Sequence, residues 1–325
     1  MGKIRALSLL SGGLDSTLAT KLILDQGIEV VAINFFSPFC KCNRKKGCNS
    51  SAKFMAEKFK IEIRTFFLGD EYLEIVKNPK FGYGKNLNPC IDCRILMLKK
   101  AKEIMEKENF SFIITGEVLN QRPKSQTFSA LQIIEKETKL EGLILRPLSA
   151  HFLPITVPEK EGWVDRKKLL SIKGKTRKQQ IFLADFLGIK DYPCPSGGCL
   201  LTDPIFAKKC KDLLNFGEFN LKNVNLLKIG KHFRINPFLK LIIARDENES
   251  KRLYCFRDEE DILLKDNKTN IIGILKGCKS DHSLYISLKI FARCTKNNEI
   301  IVEKNKEEIK YFVEPIDKIP NSFLI

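Results

Sequence analysis

The sequence predicts an α/β fold: a mostly parallel, doubly wound sheet, followed by a smaller β-rich C-terminal domain. Three observations predict it. Up to about Pro204, apolar strand-like runs alternate with stretches of helical period. The first run, Ile4 to Leu10, enters a glycine-rich turn, Ser11-Gly12-Gly13-Leu14-Asp15-Ser16, directly ahead of a helical stretch. Beyond residue 218 the pattern changes to short apolar runs bounded by Asn, Asp, Gly and Lys.

Each element follows in order. After the first strand, the apolar spacing from Thr17 to Asp25 reads as a helix. Gly27 to Phe36 is a second strand, Ser50 to Lys60 a helix and Ile61 to Phe67 a third strand. Cys93 to Lys107 is helical, with Ile95, Leu96, Leu98, Ala101 and Ile104 for an apolar face. Phe110 to Thr115 and Gly142 to Arg146 give a fourth and a fifth strand, and Lys175 to Gly188 a helix ended by glycine. Residues 1–204 form the first domain. A helix from Ile205 to Leu214 begins a connector over 205–217. Residues 218–325 form the β-rich domain, with strands expected at Phe238–Ala244, Ile271–Leu275, Leu284–Ala292 and Glu299–Val302.

A chain of 325 residues suits two domains, and 43% hydrophobic residues suffice for real cores. No apolar run approaches the ~18 residues of a membrane span, and the first strand opens too early for a signal peptide. The cysteines number 11, an odd count, and lie in short clusters. That favours metal or catalytic use in a reducing cytoplasm over a disulfide framework. The net charge of +17 points to a polyanionic partner, nucleic acid first. The excess is spread, +11 over residues 1–204 and +6 over 205–325, with no like-charged tail.

Strand, glycine-rich turn and helix N-terminus together make a phosphate cradle. Backbone N–H groups converge, and the helix dipole adds positive charge. Gly12 and Gly13 allow close backbone approach. Ser11 and Ser16 offer hydroxyl donors, and Asp15 can hold Mg²⁺ or orient the turn. The Lys of the G-x-x-x-x-G-K-[ST] loop is missing. This suits a pyrophosphate leaving group better than a transferred γ-phosphate. The turn is similar to the signature of the PP-loop ATP-pyrophosphatases, which attack the α-phosphate of ATP.

Cys90-Ile91-Asp92-Cys93 places a CxxC at a helix start, where a lowered thiol pKa favours thiolate chemistry. Cys194 and Cys199 lie in a distant glycine-rich stretch. A zinc site, a persulfide thiol with a resolving thiol, and an iron–sulfur cluster with one open iron all remain compatible with this spacing. Cys40, Cys42 and Cys48 form a second group, with metal, redox and loop roles open. Cys210, Cys255, Cys278 and Cys294 read as packing residues.

Residues 4–204 resemble the tRNA 4-thiouridine synthetases, the sulfurtransferase family also tied to thiamine biosynthesis. Five landmarks fall in order: the Ser11–Ser16 loop, Cys90–Arg94, Thr115–Thr127, Arg146-Pro147-Leu148 and Cys199–Pro204. The resemblance implies ATP bound over Ser11, Gly12, Gly13, Asp15 and Ser16, with adenine near Asn34 and Phe35. Gly116, Glu117 and Gln126 are expected to line the nucleotide or base pocket, and Lys175 and Arg177 either to face pyrophosphate or to be solvated helix charges. The resemblance further implies a 4Fe–4S cluster held by Cys90, Cys93 and Cys199, with Cys194 the other choice for third ligand. Asp15 and the three cluster cysteines are the expected catalytic groups. Family members carry an N-terminal RNA-binding region that has no room here. Residues 218–325 instead resemble the RNA-binding module of ribosome quality-control proteins, around Ile229–Arg234 and Ala244–Asn248, although Ala244 and Asp246 replace the expected Gly and Asn.

The expected reaction is adenylation of a tRNA uridine carbonyl with pyrophosphate release, then displacement of AMP by sulfur, giving 4-thiouridine. Cofactors are ATP, Mg²⁺ and the cluster. Partners are tRNA, a sulfur donor (sulfide or a carrier of the cysteine-desulfurase type) and, as one option, a second copy of the chain. The location is cytoplasmic, without membrane. The alternatives are 2-thiouridine synthesis, an amide- or nitrile-forming enzyme acting on a small molecule, and an RNA-binding protein with a vestigial ATP site.

Overall fold

The computed structural model describes residues 3–40, 48–190, 192 and 198–325. Cys42, Cys194 and the side chain of Cys48 lie outside the described residues. The chain divides into two units, Met1–Thr202 and Asp203–Ile325.

In the first unit the order is β1 (Arg5–Leu9), α1 (Leu14–Leu24), β2 (Glu29–Phe36), α2 (Cys48–Phe59), β3 (Ile63–Phe67), α3 (Asp70–Lys77), α4 (Cys90–Lys107), β4 (Phe112–Ile114), α5 (Phe128–Thr138), β5 (Ile144–Leu145), α6 (Val157–Lys160) and α7 (Lys178–Phe186). The strands are parallel, in the order β3-β2-β1-β4-β5. Successive strand residues face opposite sides. Ala6, Val30, Ala32, Phe112 and Ile114 therefore meet Leu14 and Leu18 of α1, Met55 of α2 and Ala184 of α7. Leu7, Leu9, Val31, Ile33 and Ile113 meet Ile91, Ile95 and Leu98 of α4 and Ile134 of α5 on the other side. The strand order reverses between β1 and β4, which puts the crevice for a ligand at their carboxyl ends.

Helix α1 starts three residues earlier than the periodicity suggested. Gly13 is its N-cap with extended backbone (φ −77°, ψ 162°), so Leu14, Asp15 and Ser16 form its first turn. Likewise α4 opens at Cys90, which burial of Ile91 in the core requires. Helices α3 and α5 were not anticipated; both are short, and α5 is fixed by its Thr127 cap, which accepts from Ala130 N–H.

The second unit contains α8 (Pro204–Asn215), α9 (Leu221–Leu226), β6 (Lys231–Asn236), β7 (Leu239–Ile243), α10 (Glu247–Tyr254), β8 (Ile262–Asp266), β9 (Ile271–Lys276), α11 (Asp281–Thr295), β10 (Glu299–Lys304) and β11 (Glu307–Phe312). Its strands form one antiparallel sheet, β11-β10-β8-β9-β7-β6. Leu241 and Ile243 pack with Leu288 and Phe291 of α11, while Ile242 and Ile274 pack with Leu253 of α10. The segment expected as a connector is part of this unit. Helix α8 buries Phe206, Ala207, Cys210 and Leu213, and its Asp212 pairs with Arg234 of β6 at 2.7 Å. The strand expected at Leu284–Ala292 is instead the middle of α11. Ser280 caps that helix through Ser283 N–H, and Leu288, Phe291, Ala292 and Thr295 are buried at helical spacing. Cys255, expected to pack, is exposed, whereas Cys210 is buried. Among the described residues no helix is long and apolar enough to cross a membrane.

Lys209 of α8 is 8% exposed, and its Nζ donates only long bonds, 3.4 Å, to Leu227 O and Gly230 O. Burial, with Arg245 and Lys240 nearby, pushes its pKa from 10.5 down to about 8. The folded state therefore binds fewer protons than the unfolded chain between those values, and the group costs stability below them. Lys209→Met should raise the unfolding free energy of the full chain at pH 7 by about 1–3 kcal/mol. Its advantage over the wild type should shrink as the pH rises from 8 to 10.5, which denaturant unfolding across that range measures.

Candidate nucleotide and thiol site

The turn after β1 is built by its serines. Ser11 N–H donates to Ser16 Oγ at 3.2 Å, the two hydroxyls lie 3.0 Å apart, and Ser16 Oγ donates to Gly13 O at 3.0 Å. No side chain caps α1, so its first-turn N–H groups are left for an acceptor outside the helix. Gly12 has φ +73°, and a Cβ there would stand 2.5 Å from the backbone of Ser51 and Ala52. Asn34 is buried in β2. Its Nδ2 donates to Leu10 O at 2.8 Å, and its Oδ1 has no partner.

Asp15 points into a chain of amides. Gln121 Nε2 donates to Asp15 Oδ2 at 2.6 Å, and Gln180 Nε2 of α7 donates to Gln121 Oε1 at 2.9 Å. Arg177 Nε lies 3.9 Å from the same carboxylate, whose Oδ1 is buried without a partner. Burial pushes the Asp15 carboxyl up, against the Gln121 hydrogen bond and the charges of Arg177 and Arg122. An orphaned carboxylate oxygen beside an anion cradle fits a hard cation such as Mg²⁺.

The segment after β4 abuts this turn. A Cβ on Gly116 would stand 2.5 Å from Ser16 N, so only glycine lets the two segments touch. Glu117, next in line, is 1% exposed. It accepts from Arg146 Nε (3.0 Å) and Thr115 Oγ1 (3.2 Å), and pairs with Arg94 Nε at 3.0 Å. Burial pushes its carboxyl up, but Arg94 and Arg146 outweigh that and hold it below its ordinary range. Glu117 is thus a buried anion paired with two arginines, although its Oε1 accepts no hydrogen bond. Gln126 is buried with its Oε1 unpartnered. Lys175 precedes α7, is exposed and makes no ion pair among the described residues, whereas Arg177 caps the helix beside Asp15.

The cysteines converge from three segments. Cys90 and Cys93 open α4, with Asp92 between them accepting from Lys80 N–H (2.9 Å) and Phe81 N–H (3.2 Å). Leu87 N–H donates to Leu201 O at 3.2 Å and Asn86 Nδ2 to Thr202 O at 2.9 Å, strapping the CxxC loop to the Cys199 segment. Cys40 and Cys199 form an isolated antiparallel bridge. Tyr72 hydrogen-bonds Cys93. The expected lowering of the thiol pKa values does not occur. Burial pushes the Cys90 and Cys93 thiols up and Cys199 to about 12, because desolvation exceeds the help from the helix start and from Arg94 and Arg122. No three His, Cys, Asp or Glu side chains among the described residues could hold one metal ion. Three clustered thiols do fit, in donor chemistry, a cluster that spreads its ligands over several irons.

Arg122 joins the two halves, since it interacts electrostatically with Cys90 and Asp15 as well as Arg94 and Arg177. Sequence reasoning gave no role to Gln121, Arg122, Gln180, Arg94 or Arg146, although all but Gln180 sit in the motifs it singled out. Gln180 carried no signal, because its burial depends on how α7 packs.

A parallel sheet of this order, with a glycine turn and an open helix N-terminus after β1, defines a doubly wound α/β domain. Residues 2–151 match the family model of the thiamine biosynthesis protein (ThiI), and residues 230–318 that of the NFACT protein RNA binding domain. A probable tRNA sulfurtransferase of Thermoanaerobacter sp. (strain X514) is 32% identical over 151 residues, covering 44% of this chain and 36% of the relative. The tRNA sulfurtransferase of Desulfurococcus amylolyticus is 29% identical over 148 residues, 44% of this chain and 29% of the relative. The chain thus spans about a third of the length of the curated relatives it matches. Among solved structures, a 4-thiouridine synthetase–RNA complex with bound ATP aligns at 19% identity and a TM-score of 0.40, over 68% of this chain and 53% of its own. The U34-tRNA thiolase NcsA from Methanococcus maripaludis, with its 4Fe–4S cluster, aligns at 18% and 0.36, over 70% and 74%. Scores this low carry no weight for the fold, which rests on the sheet order itself.

Two outcomes follow from the geometry. Arg146→Met strips a buried carboxylate of a partner and should cost roughly 3–5 kcal/mol in urea unfolding. The penalty should shrink as the pH falls, because the wild type holds the Glu117 carboxyl below its ordinary range while the variant, lacking Arg146, takes up the proton first. In a carboxyl-resolved NMR titration Asp15 should titrate above its ordinary 3.8, and higher again in Gln121→Leu, which removes the hydrogen bond favouring the anion.

Proposed function

We propose that the chain is an ATP-dependent tRNA uridine thiolase that makes 4-thiouridine, by adenylating the base with release of pyrophosphate and then exchanging AMP for sulfur. The single observation that carries this reading is the Thr115–Glu117 segment, which rests on the nucleotide turn through Gly116 and pairs through Glu117 with Arg94, one residue after Cys93. The match of residues 2–151 to the thiamine biosynthesis protein (ThiI) model, the names of the relatives and the charge of +17 support it.

The turn amides and the α1 N-terminus take the triphosphate. Asp15 Oδ1 offers a ligand for Mg²⁺. Arg177 and Arg122 offset charge on the departing pyrophosphate, with Arg94 behind them. Asn34 Oδ1 presents an acceptor at the end of β2, suited to the exocyclic amine of adenine. The target base must leave its stack to reach this depth. The residues that match an RNA-binding module, 230–318, suit a grip on the tRNA. Cys90, Cys93 and Cys199 would hold the cluster, which when bound supplies an iron site for incoming sulfur.

The test uses the purified full chain with tRNA transcript, Mg²⁺, ATP and sulfide. AMP, pyrophosphate and thiolated nucleoside should form together; ADP in place of AMP overturns the reading. Asp15→Asn should lower pyrophosphate release by about 100-fold or more. Cys93→Ala should abolish thiolation and spare pyrophosphate release, because the thiols act after the base is adenylated. Mass analysis of the nucleoside separates the 4-thio from the 2-thio product.

A further inference from the structure

Cys40 and Cys199 stand opposite each other in an antiparallel bridge. Leu200 N–H donates to Phe39 O at 2.7 Å, a bond that flanks the pair without joining its two residues. The cysteines therefore occupy a non-hydrogen-bonded position, where Cα atoms lie about 4.5 Å apart and side chains approach most closely. A disulfide requires a Cα separation of about 4.4–6.8 Å, so the backbone needs no movement to accept one.

Both strands of the bridge are held. Cys40 N–H donates to Ser37 O at 3.2 Å, and Ser37 N–H donates to Cys40 Sγ at 3.4 Å. On the facing segment, Thr202 N–H and Oγ1 both donate to Cys199 O, at 3.0 and 2.7 Å. Both thiols are half-buried and reduced. Cys40 also interacts electrostatically with Cys93, so it belongs to the same group of sulfurs as the CxxC pair.

We propose that Cys40 and Cys199 are a reversible dithiol–disulfide couple, closed by small-molecule disulfides of the glutathione class. Two S–H bonds break and one S–S bond forms. The two electrons and two protons pass to the oxidant, whose own S–S bond is reduced to two thiols. Once bridged, Cys199 can no longer serve as a metal ligand beside Cys90 and Cys93. That consequence rests on the proposed function; the couple itself does not.

The full chain, with and without iron removed by chelation, is equilibrated against glutathione redox buffers, alkylated and digested with trypsin. Cleavage after Lys41 separates Cys40 from Cys42, and tandem mass spectra distinguish Cys199 from Cys194. The chelated chain should give a Cys40–Cys199 cross-link as its dominant disulfide. The link should vanish in Cys40→Ser and in Cys199→Ser, and reverse with dithiothreitol. In the iron-loaded chain it should form more slowly. Dominant pairing of Cys40 with Cys42 or Cys48, or of Cys199 with Cys90, Cys93 or Cys194, overturns the proposal, as does a chelated chain that stays fully reduced. The readout is a peptide, so it stands whether or not the protein thiolates tRNA.

Discussion

The candidate site is organised around one buried carboxylate. Glu117 lies in the interior at the end of β4, where an unpaired charge would be prohibitive, so its partners must come to it. Arg94 comes from α4, one residue after Cys93. Arg146 comes from the end of β5 and is shared with Glu135 of α5. The pairing therefore fixes the start of α4 against the carboxyl ends of β4 and β5. Gly116 completes the constraint on the other side, because its missing Cβ lets the same segment rest on the first turn of α1. Three consecutive residues, Thr115 to Glu117, thus set the spacing between nucleotide turn and thiols.

Charge in the crevice is arranged against its own interest. Arg122 interacts as a like charge with both Arg94 and Arg177, and Asp15 is the counter-ion that Arg122 and Arg177 share near the turn. Burial works against ionisation of Asp15, and it keeps the thiols protonated. Such a site is electrostatically unsatisfied until a polyanion arrives, and binding one relieves the repulsion among the arginines. Neutral thiols are poor nucleophiles, and a metal or a neighbouring cation must displace their protons before they act. Any reaction of these thiols therefore depends on what else is bound.

Most of the first unit was legible because its signals are local. The apolar run before Ser11, the alternation of periods and the CxxC at a helix start each lie within one element. Among the elements that escaped notice, α3 and α5 are short; α5 is fixed by its Thr127 cap and α3 by burial of Tyr72, Leu73 and Val76. In the second unit, Leu284–Ala292 misled because a β-branched, apolar stretch satisfies strand and helix patterns alike; Ser280 as a cap and burial at Leu288, Phe291 and Thr295 decide for the helix. Glu117 illustrates the same limit at the site. Its sequence neighbours marked it as functional, but its pairing with Arg94 and Arg146, which come from other elements, carried no local signal.

Cys40 was the least legible of the site cysteines. In the sequence it belongs with Cys42 and Cys48, and nothing local ties it to Cys199, far along the chain. The link is made by the backbone: the Leu200–Phe39 bond aligns the two segments, and the Leu87–Leu201 and Asn86–Thr202 bonds bring the CxxC loop to the same place. A site assembled from three segments by so few bonds has a specific weakness. Two of its sulfurs sit on the stiff start of α4, which the core holds through Ile91 and Ile95. Among the described residues, Cys199 is held by loop backbone and by Thr202. Repositioning of that segment would change the number of thiols that face one another without disturbing the sheet.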